Sequence, residues 1–332
     1  MSVKKDLVLK AFRGEEVERV PVGFWYHFTQ EDEWLQGLGN QKIIQKNLAG
    51  HQKFLAEVQP DFIKLMSDGY FAYPHEQLKG LTSIKEVGDL EPLGAHHPWI
   101  EEQVSLVKQI KASFQEELVA LYNIFAPATY FKWLVGEVAG GDDVLADFLA
   151  EDAEATKKAL DLIAQDIATL SQRLIQEVGL DGIYLSVQTI QDERVTEEVY
   201  QTFIAPSELA VLAAANQAGG QNILHICGYE GAKNNLDLFK DYPAQVFNWA
   251  VGPERLSLEQ GRQLFHGRTV LGGFENTRSG LLYGGSRAEI EAETKRLIER
   301  AGKRGLILGA DCTLPSDIAP ERIDWVRQAA QF

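Results

Sequence analysis

Apolar residues recur along the chain in two alternating patterns. Short runs rich in β-branched and other apolar residues are separated by longer stretches in which apolar residues lie three and four positions apart. The short runs occupy residues 20–27, 61–66, 117–124, 182–187, 222–227, 245–249, 269–274 and 305–310. The longer stretches include residues 43–58, 155–175 and 288–301. This pattern predicts eight strands that alternate with amphipathic helices.

The alternation of strands and helices predicts the fold class. Strands separated by helices pair in parallel, and eight such units without a dividing linker favour an α/β fold, a (β/α)₈ TIM barrel. A doubly wound open sheet is the alternative. A helix over residues 2–13 and the segment around residues 70–115 are predicted as additions to the barrel, and residues 1–332 as a single domain.

Residues with functional side chains follow the predicted strands. They are Trp25, Tyr26, His27, Ser67, Asp68, Asn123, Gln188, His225, Cys227, Asn248, Trp249, Glu275, Asn276, Asp311 and Cys312. In a barrel of this type the loops after the strands form one face, and that face carries the active site. The sequence therefore predicts a functional site at the carboxyl ends of the strands.

The composition excludes several classes of partner and location. The chain has 32 basic and 48 acidic residues and a formal net charge of −16, which disfavours binding to nucleic acid or anionic membranes. The amino-terminal residues lack a secretory signal, and no apolar stretch reaches the ~18 residues that a membrane helix needs. We expect a soluble, cytoplasmic protein. The chain's two cysteines cannot form a disulfide framework.

Three residues suggest a metal site. His225 and Cys227 are two positions apart on one predicted strand, so both point into the barrel, and Cys312 follows the last predicted strand. One histidine and two cysteines suit zinc, and three protein ligands with an open position are typical of catalytic zinc. Such a zinc would hold an incoming thiol as thiolate. The alternatives are buried residues without a metal, or a disulfide.

Longer motifs resemble a known family. The segments H-I-C-G (225–228) and G-A-D-C-T-L-P-S-D-I-A-P-E-R-I (309–323) together resemble the His-x-Cys and Cys zinc signature of the methylcobamide:coenzyme M methyltransferases, a branch of the uroporphyrinogen decarboxylase family. Residues 11–25, 60–68 and 272–284 are similar to the family's opening segment, second strand and Leu-Leu-x-Gly segment. The family fold is a (β/α)₈ barrel, in agreement with the strand pattern.

The resemblance implies a zinc-dependent methyltransferase. Zinc bound by His225, Cys227 and Cys312 would activate a small thiol, and a corrinoid (cobalamin) or folate donor would supply the methyl group. The implied partners are a small-molecule thiol, the methyl donor and a corrinoid protein as a candidate carrier. A non-catalytic zinc site that braces the barrel, or a module that binds a corrinoid-carrying partner, is a further hypothesis.

The decarboxylases of the same family provide another hypothesis. Asp68 matches their catalytic aspartate, so decarboxylation of a porphyrinogen or a smaller pyrrole acid is an alternative. The decarboxylases, however, carry an Arg-Gln-Ala-Gly-Arg-Tyr loop after the first strand, where residues 24–33 contain no arginine. They also have Gly-His where this chain has Asp311 and Cys312. The missing arginines argue against a polycarboxylate substrate.

Further residues are predicted to bind the substrate or to complete the metal site. Trp25, Tyr26, Gln188, Asn248 and Glu275 are the predicted substrate-binding residues, and Asp68 joins the three metal ligands as a catalytic residue. Asn248 lies where related zinc methyltransferases have a carboxylate ligand, and an amide is a poor zinc ligand. The fourth zinc position is left open between water, the substrate thiol, Gln188, Glu275 and Asp311. Tyr130, Trp133 and Trp249 either wall an apolar pocket or belong to the core.

Overall fold

A parallel β-sheet forms the framework of the structure. The computed structural model describes residues 2–136, 141–189, 192–228 and 233–331. Its strands are β1 (Phe62–Leu65), β2 (Val119–Phe125), β3 (Gly182–Val187), β4 (Ile223–Ile226), β5 (Val246–Trp249), β6 (Thr269–Phe274) and β7 (Leu306–Ala310). They lie in the sheet in chain order, and every adjacent pair is parallel. This order is that of a curled, TIM barrel-like sheet and not of a doubly wound one, in which the strand order reverses.

Helices connect the strands, as parallel pairing requires. In chain order they are α1 (Val3–Phe12), α2 (Gln41–Val58), α3 (Pro98–Ala112), α4 (Pro127–Val135), α5 (Gly141–Gln176), α6 (Glu197–Val199), α7 (Ala205–Gln217), α8 (Val251–Glu254), α9 (Leu258–Leu264), α10 (Leu281–Gly284), α11 (Arg287–Ala301) and α12 (Pro320–Ala329). Single 3₁₀ or π turns cover Glu31–Glu33, Ile84–Glu86, Tyr200–Ile204 and Leu236–Phe239. Among the helices described, none is long and apolar enough to cross a membrane.

The predicted helices and strands agree closely with the structure. The amphipathic stretches 43–58 and 288–301 lie in α2 and α11, the stretch 155–175 lies in α5, and the predicted amino-terminal helix is α1. The segment around residues 70–115, predicted as an addition to the barrel, contains α3, which connects β1 to β2.

The first predicted strand, residues 20–27, differs from the expectation. It forms two isolated parallel bridges, Val22 with Leu308 and Tyr26 with Leu314, and no continuous strand. Two local features explain this. Pro21 has no N–H to donate to a neighbouring strand. The Val22 N–H donates to the Asp61 carboxylate at 2.8 Å, where a strand would use a backbone carbonyl. Seven of the eight predicted strands are therefore confirmed.

The apolar core has two parts, which lie on the two faces of the sheet. The larger part packs the strands against the surrounding helices. The smaller part contains inward-pointing strand residues such as Phe62, Leu121 and Leu271, together with the buried face of α1. The Thr269 hydroxyl at the start of β6 donates to the Ala11 carbonyl of α1 at 2.6 Å. Helix α1 thus covers the amino-terminal end of the interior, and the carboxyl end is left for the site.

Candidate metal centre and pocket

The candidate metal centre lies at the carboxyl end of β4. Along this strand the side chains of Leu224 and Ile226 pack in the larger part of the core, between the sheet and the helices. Ile223 packs in the smaller part, inside the sheet. Because side chains alternate along a strand, His225 and Cys227 share the inward face with Ile223. The apolar run N-I-L-H-I-C therefore places two polar side chains inside the sheet, and His225 is only 2% exposed.

Cys312, two residues beyond β7, completes the group. The ligand atoms of His225, Cys227 and Cys312 all lie within 4.8 Å of one another. The Cys312 Sγ is 3.4 Å from the His225 Nε2. In the part of the chain that the structure describes, no carboxylate or further histidine joins this group. The structure thus brings together the three residues predicted as metal ligands.

Asn248 on β5 orients the histidine. The Asn248 Nδ2 donates to the carbonyls of Leu271 at 2.9 Å and Ala310 at 3.1 Å, which fixes the direction of the amide. Its Oδ1 must therefore accept a hydrogen bond from the His225 Nδ1–H at 2.5 Å, and it also accepts one from the Tyr184 hydroxyl at 2.6 Å. The proton on Nδ1 leaves Nε2 with a free lone pair, directed at the two cysteines.

The two thiols share their protons unequally. A hydrogen bond between them lowers the pKa of Cys312 well below its usual value and raises the pKa of Cys227 well above its own. Burial acts against the charged form in both, while the Lys64 ammonium favours the Cys312 thiolate. The pair therefore loses its first proton readily, and Cys312 is the thiol that gives it up.

Lys64 of β1 is a charged residue that the sequence did not single out. It is 5% exposed, and its Nζ lies 3.9 Å from the Tyr184 ring centroid and 5.0 Å from that of Trp25. Burial lowers the pKa of Lys64 to about 8, while the nearby cysteines oppose the shift. A lysine inside an apolar strand run, on the same face as Phe62, is the signal that could have identified it.

A cavity of about 780 Å³ opens onto the three candidate ligands. Its lining is His27, Gln30, Glu31, Asp32, Trp34, Leu35, Lys64, Met66, Phe71, Asn123, Phe125, Trp133, Ser186, His225, Cys227, Cys312 and Thr313. Most of this surface is apolar or aromatic, and among the described lining residues Lys64 is the one lysine or arginine. Trp133, one of the aromatic candidates, contributes to the wall. The cavity is large enough for a small organic substrate.

Asp68, predicted as catalytic, lies outside the lining of this cavity. It is fully buried, and its Oδ1 accepts a hydrogen bond from the His27 Nδ1 at 2.7 Å. Its Oδ2 accepts the backbone N–H groups of Phe28 at 2.7 Å and Thr29 at 3.3 Å. The carboxylate thus acts on the cavity through His27, which does line it.

The predicted substrate-binding residues occupy other positions. Trp25 is buried, and the Lys64 ammonium lies over its ring. Tyr26 packs on Phe54 in the larger part of the core, and burial raises the pKa of Tyr26 to about 12. Gln188 is partly buried just after β3, and Glu275 is exposed and accepts the Ser279 hydroxyl at 3.3 Å. These four and Asn248 lie outside the cavity lining.

Asp311 is the remaining candidate for the fourth metal position. Burial raises its pKa to about 7, and backbone groups of Val251 and Gly273 act in the opposite direction. Its Oδ1 has no hydrogen-bond partner among the described residues. Asp311, Gln188 and Glu275 are not part of the cluster formed by the other three ligands. The three residues that form the cluster all line the cavity, whereas these three candidates do not.

The sequence places the chain in a family. Residues 73–331 match the family model described as Uroporphyrinogen decarboxylase (URO-D). The chain belongs to the uroporphyrinogen decarboxylase family. The match covers more than half of the chain, in agreement with the resemblance seen in the sequence motifs. No protein with a curated description matches the sequence.

Two solved structures share the fold of this member of the uroporphyrinogen decarboxylase family. A methyltransferase from Methanosarcina mazei has a TM-score of 0.71 and 14% identity, and the likeness covers 98% of both chains. A B12-independent methionine synthase from Shewanella sp. W3-18-1, in complex with selenomethionine, has a TM-score of 0.57 and 12% identity. That likeness covers 94% of this chain and 97% of the other. At such identities the likeness establishes the fold, and the reaction must be argued from the site.

Proposed function

We propose that this protein is a zinc-dependent methyltransferase that moves a methyl group from a corrinoid or folate donor to a small thiol. The observation that carries the proposal is the convergence of His225, Cys227 and Cys312 within 4.8 Å at the base of a cavity. The methyltransferase named among the similar structures agrees with it.

The donor set fits zinc. One imidazole nitrogen with its lone pair free and two thiols, of which one ionises readily, are the borderline and soft ligands that zinc prefers. Three protein ligands beside a cavity leave a position for a substrate atom, as in catalytic zinc sites. Bound zinc would supply the positive charge that keeps an incoming thiol deprotonated at neutral pH.

The chain's own residues then have distinct tasks. Asn248 holds the His225 proton on Nδ1, so that Nε2 stays available. The aromatic wall, including Phe125 and Trp133, excludes water from the sulfur, which keeps it a strong nucleophile. In the transfer, a bond forms between sulfur and the methyl carbon. The bond from that carbon to the donor breaks, its electron pair stays with the donor, and the thiol proton is released.

Porphyrinogen decarboxylation has less support from the cavity. The family model bears the decarboxylase name, and Asp68 matches the catalytic aspartate of those enzymes. A polycarboxylate would, however, meet one lysine, Lys64, and two acidic residues, Glu31 and Asp32, in the described lining. Turnover of uroporphyrinogen that is lost in Asp68→Asn would favour this second function instead.

We also infer that residues 20–27 occupy the place of an eighth strand and close the seven-stranded sheet into a barrel. The Gly23 N–H donates to the Leu308 carbonyl of β7 at 2.9 Å, and the Asp61 N–H before β1 donates to the Val22 carbonyl at 3.3 Å. The segment thus bonds to both ends of the seven-stranded sheet. A barrel closed in this way brings the residues after β7 to the same mouth as those after β4.

Metal analysis of the purified protein tests the proposed function. We expect about one zinc per chain, and loss of that zinc in Cys227→Ser and in Cys312→Ser. His51→Gln is the matched control, because His51 is equally buried but lies outside the cluster, and this variant should keep its zinc. Added thiols should change the zinc X-ray absorption edge, and methylated thiol should form with methylcobalamin or methyltetrahydrofolate.

Two results would contradict the proposal. Wild-type protein purified without zinc, or zinc retained in both cysteine variants, would show that the cluster is not a metal site. Four fixed protein ligands and an absorption edge unchanged by thiols would instead indicate a closed zinc site that braces the barrel without catalysis.

A further inference from the structure

His27 and Asp68 form a second polar group at the cavity. The His27 ring lines the cavity, and its Nδ1 lies 2.7 Å from the Asp68 Oδ1. The ring is also packed at 4.0 Å, between centroids, against Trp34. Asp68 itself is fully buried, and His27 separates it from the cavity. A buried carboxylate behind a partly exposed histidine is an arrangement that the metal centre does not use.

The hydrogen bonds determine which nitrogen of His27 faces the cavity. The Asp68 Oδ2 already accepts the N–H groups of Phe28 and Thr29, so the carboxylate acts as an acceptor throughout. Its Oδ1 must then accept a hydrogen bond from the His27 Nδ1–H. The Nε2, on the other edge of the ring, carries the lone pair, and no hydrogen bond to it occurs among the described residues. His27 is therefore held as a proton acceptor.

Transfer of a methyl group to a thiol requires such an acceptor. The S–H proton must leave the sulfur, and apolar side chains such as Met66, Phe71 and Phe125 restrict the access of water. The His225 lone pair is directed at the cysteines and is not available to the substrate. The other ionisable groups that line the cavity are Lys64, which is a donor when charged, and the exposed Glu31 and Asp32.

We propose that His27, positioned by Asp68, is the general base that removes the proton from the acceptor thiol. This inference rests on the proposed function and adds a catalytic residue to it. As the thiol enters, its S–H bond breaks, the electron pair stays on sulfur, and the proton forms an N–H bond at the His27 Nε2. The proton passes to solvent when the methylated product leaves. Asp68 is a positioning residue, since it keeps the proton on Nδ1 and stabilises the imidazolium.

Rapid mixing of the Co(II)-loaded protein with 2-mercaptoethanol tests this role. Binding of the thiolate should add sulfur-to-cobalt charge-transfer absorption to that of the two cysteine ligands, and this added band reports formation of the bound thiolate without any methyl donor. We expect the band to form about 100-fold more slowly in His27→Gln and His27→Ala, the lower end of the usual contribution of a general base. Added imidazole should restore the rate in His27→Ala, because it can enter the space left by the ring. A merely structural histidine would not be replaced in this way.

A second variant preserves the shape of the pair. In Asp68→Asn the amide can donate to the His27 Nδ1, which moves the ring proton to Nε2 and removes the base. We expect a slow rate similar to that of His27→Gln, with cobalt content unchanged in all variants. His96→Gln is the matched control and should remain close to wild type, because the His96 Nδ1 also contacts a carboxylate, that of Glu101 at 2.9 Å, but lies outside the cavity lining.

The outcomes separate this inference from the proposed function. If wild-type protein binds no metal or gives no band with thiol, the proposed function itself fails. If wild type gives the band and His27→Gln forms it within twofold of the wild-type rate, the base is not His27 and the proposed function stands. A slow His27→Ala that imidazole does not accelerate would also overturn the role of His27.

Discussion

At the scale of single residues, the three candidate ligands were predictable and their supporting residues were not. Two rules make His225, Cys227 and Cys312 recognisable. Side chains two residues apart on a strand point to the same face, and the carboxyl ends of parallel strands lie at the same end of the sheet. The role of Asn248 was not predictable, because the direction of its amide depends on carbonyls that are distant in sequence. The sequence suggested that a ligand is missing at Asn248, whereas the structure shows a residue that orients His225.

The orientation of His225 by Asn248 can be tested directly. Asn248→Ala removes the acceptor of the Nδ1 proton, so the imidazole can turn or protonate Nε2. Loss of such a partner typically lowers metal affinity by about 10–100-fold. Competition with a chromophoric chelator would measure the change. Tyr184→Phe removes the other hydrogen bond to the Asn248 Oδ1 and should have a smaller effect. Equal affinities in Asn248→Ala and wild type would show that His225 is held by other contacts.

At the scale of elements, periodicity predicted the strands that have continuous pairing. The segment 20–27 has the same apolar character as the others, but Pro21 and the Asp61 carboxylate replace part of its backbone pairing. The pattern of apolar residues does not predict a hydrogen bond from a backbone N–H to a side chain that is distant in sequence. The apolar pattern therefore predicted where this segment lies in the chain, but it did not predict the hydrogen-bond partners of its backbone.

Gly23, in this segment, packs so closely against β1 that there is no room for a side chain at its position. A Cβ atom added to Gly23 would lie 2.0 Å from the Phe62 Cε1 of β1. We expect Gly23→Ala to lower the free energy of unfolding by about 1–3 kcal/mol, because Phe62 or the segment must move. Gly88→Ala is the matched control, since no heavy atom lies within 4 Å of its added Cβ. Urea unfolding of both variants would measure the effect, and similar midpoints would contradict it.

At the scale of the whole molecule, stability should depend on a buried carboxyl group that lies outside the candidate metal cluster and the cavity lining. Glu208 of α7 is buried and accepts the hydroxyls of Tyr200 at 2.9 Å and Tyr242 at 2.6 Å. Burial raises the pKa of Glu208 from 4.5 to about 7. These tyrosine contacts join α7 to the π turn before it and to the loop before β5. The alternation of apolar residues carries no sign of this cluster, because its members are separated in sequence.

The sign of the pH dependence follows from the raised pKa. Between pH 4.5 and 7 the unfolded chain loses the Glu208 proton while the folded protein keeps it. The stabilising contribution is complete below pH 4.5 and is lost as the pH rises through about 7. The shift corresponds to about 3 kcal/mol. Glu208→Gln stays neutral, so its unfolding free energy in chelator should fall less than that of wild type between pH 5 and 8. Parallel urea-unfolding curves at the two pH values would contradict this expectation.

The hydrogen bonds of Asn248 also link the proposed metal site to the assembly of the sheet. This one side chain bonds to Tyr184 on β3, His225 on β4, Leu271 on β6 and Ala310 on β7, and it lies on β5 itself. An intermediate without β7 lacks Cys312 and the Ala310 carbonyl, which is one of the two acceptors that fix the Asn248 amide. The proposed ion would therefore be retained only after these strands have reached their final register, and failure to hold metal would distinguish a misassembled chain from a mature one.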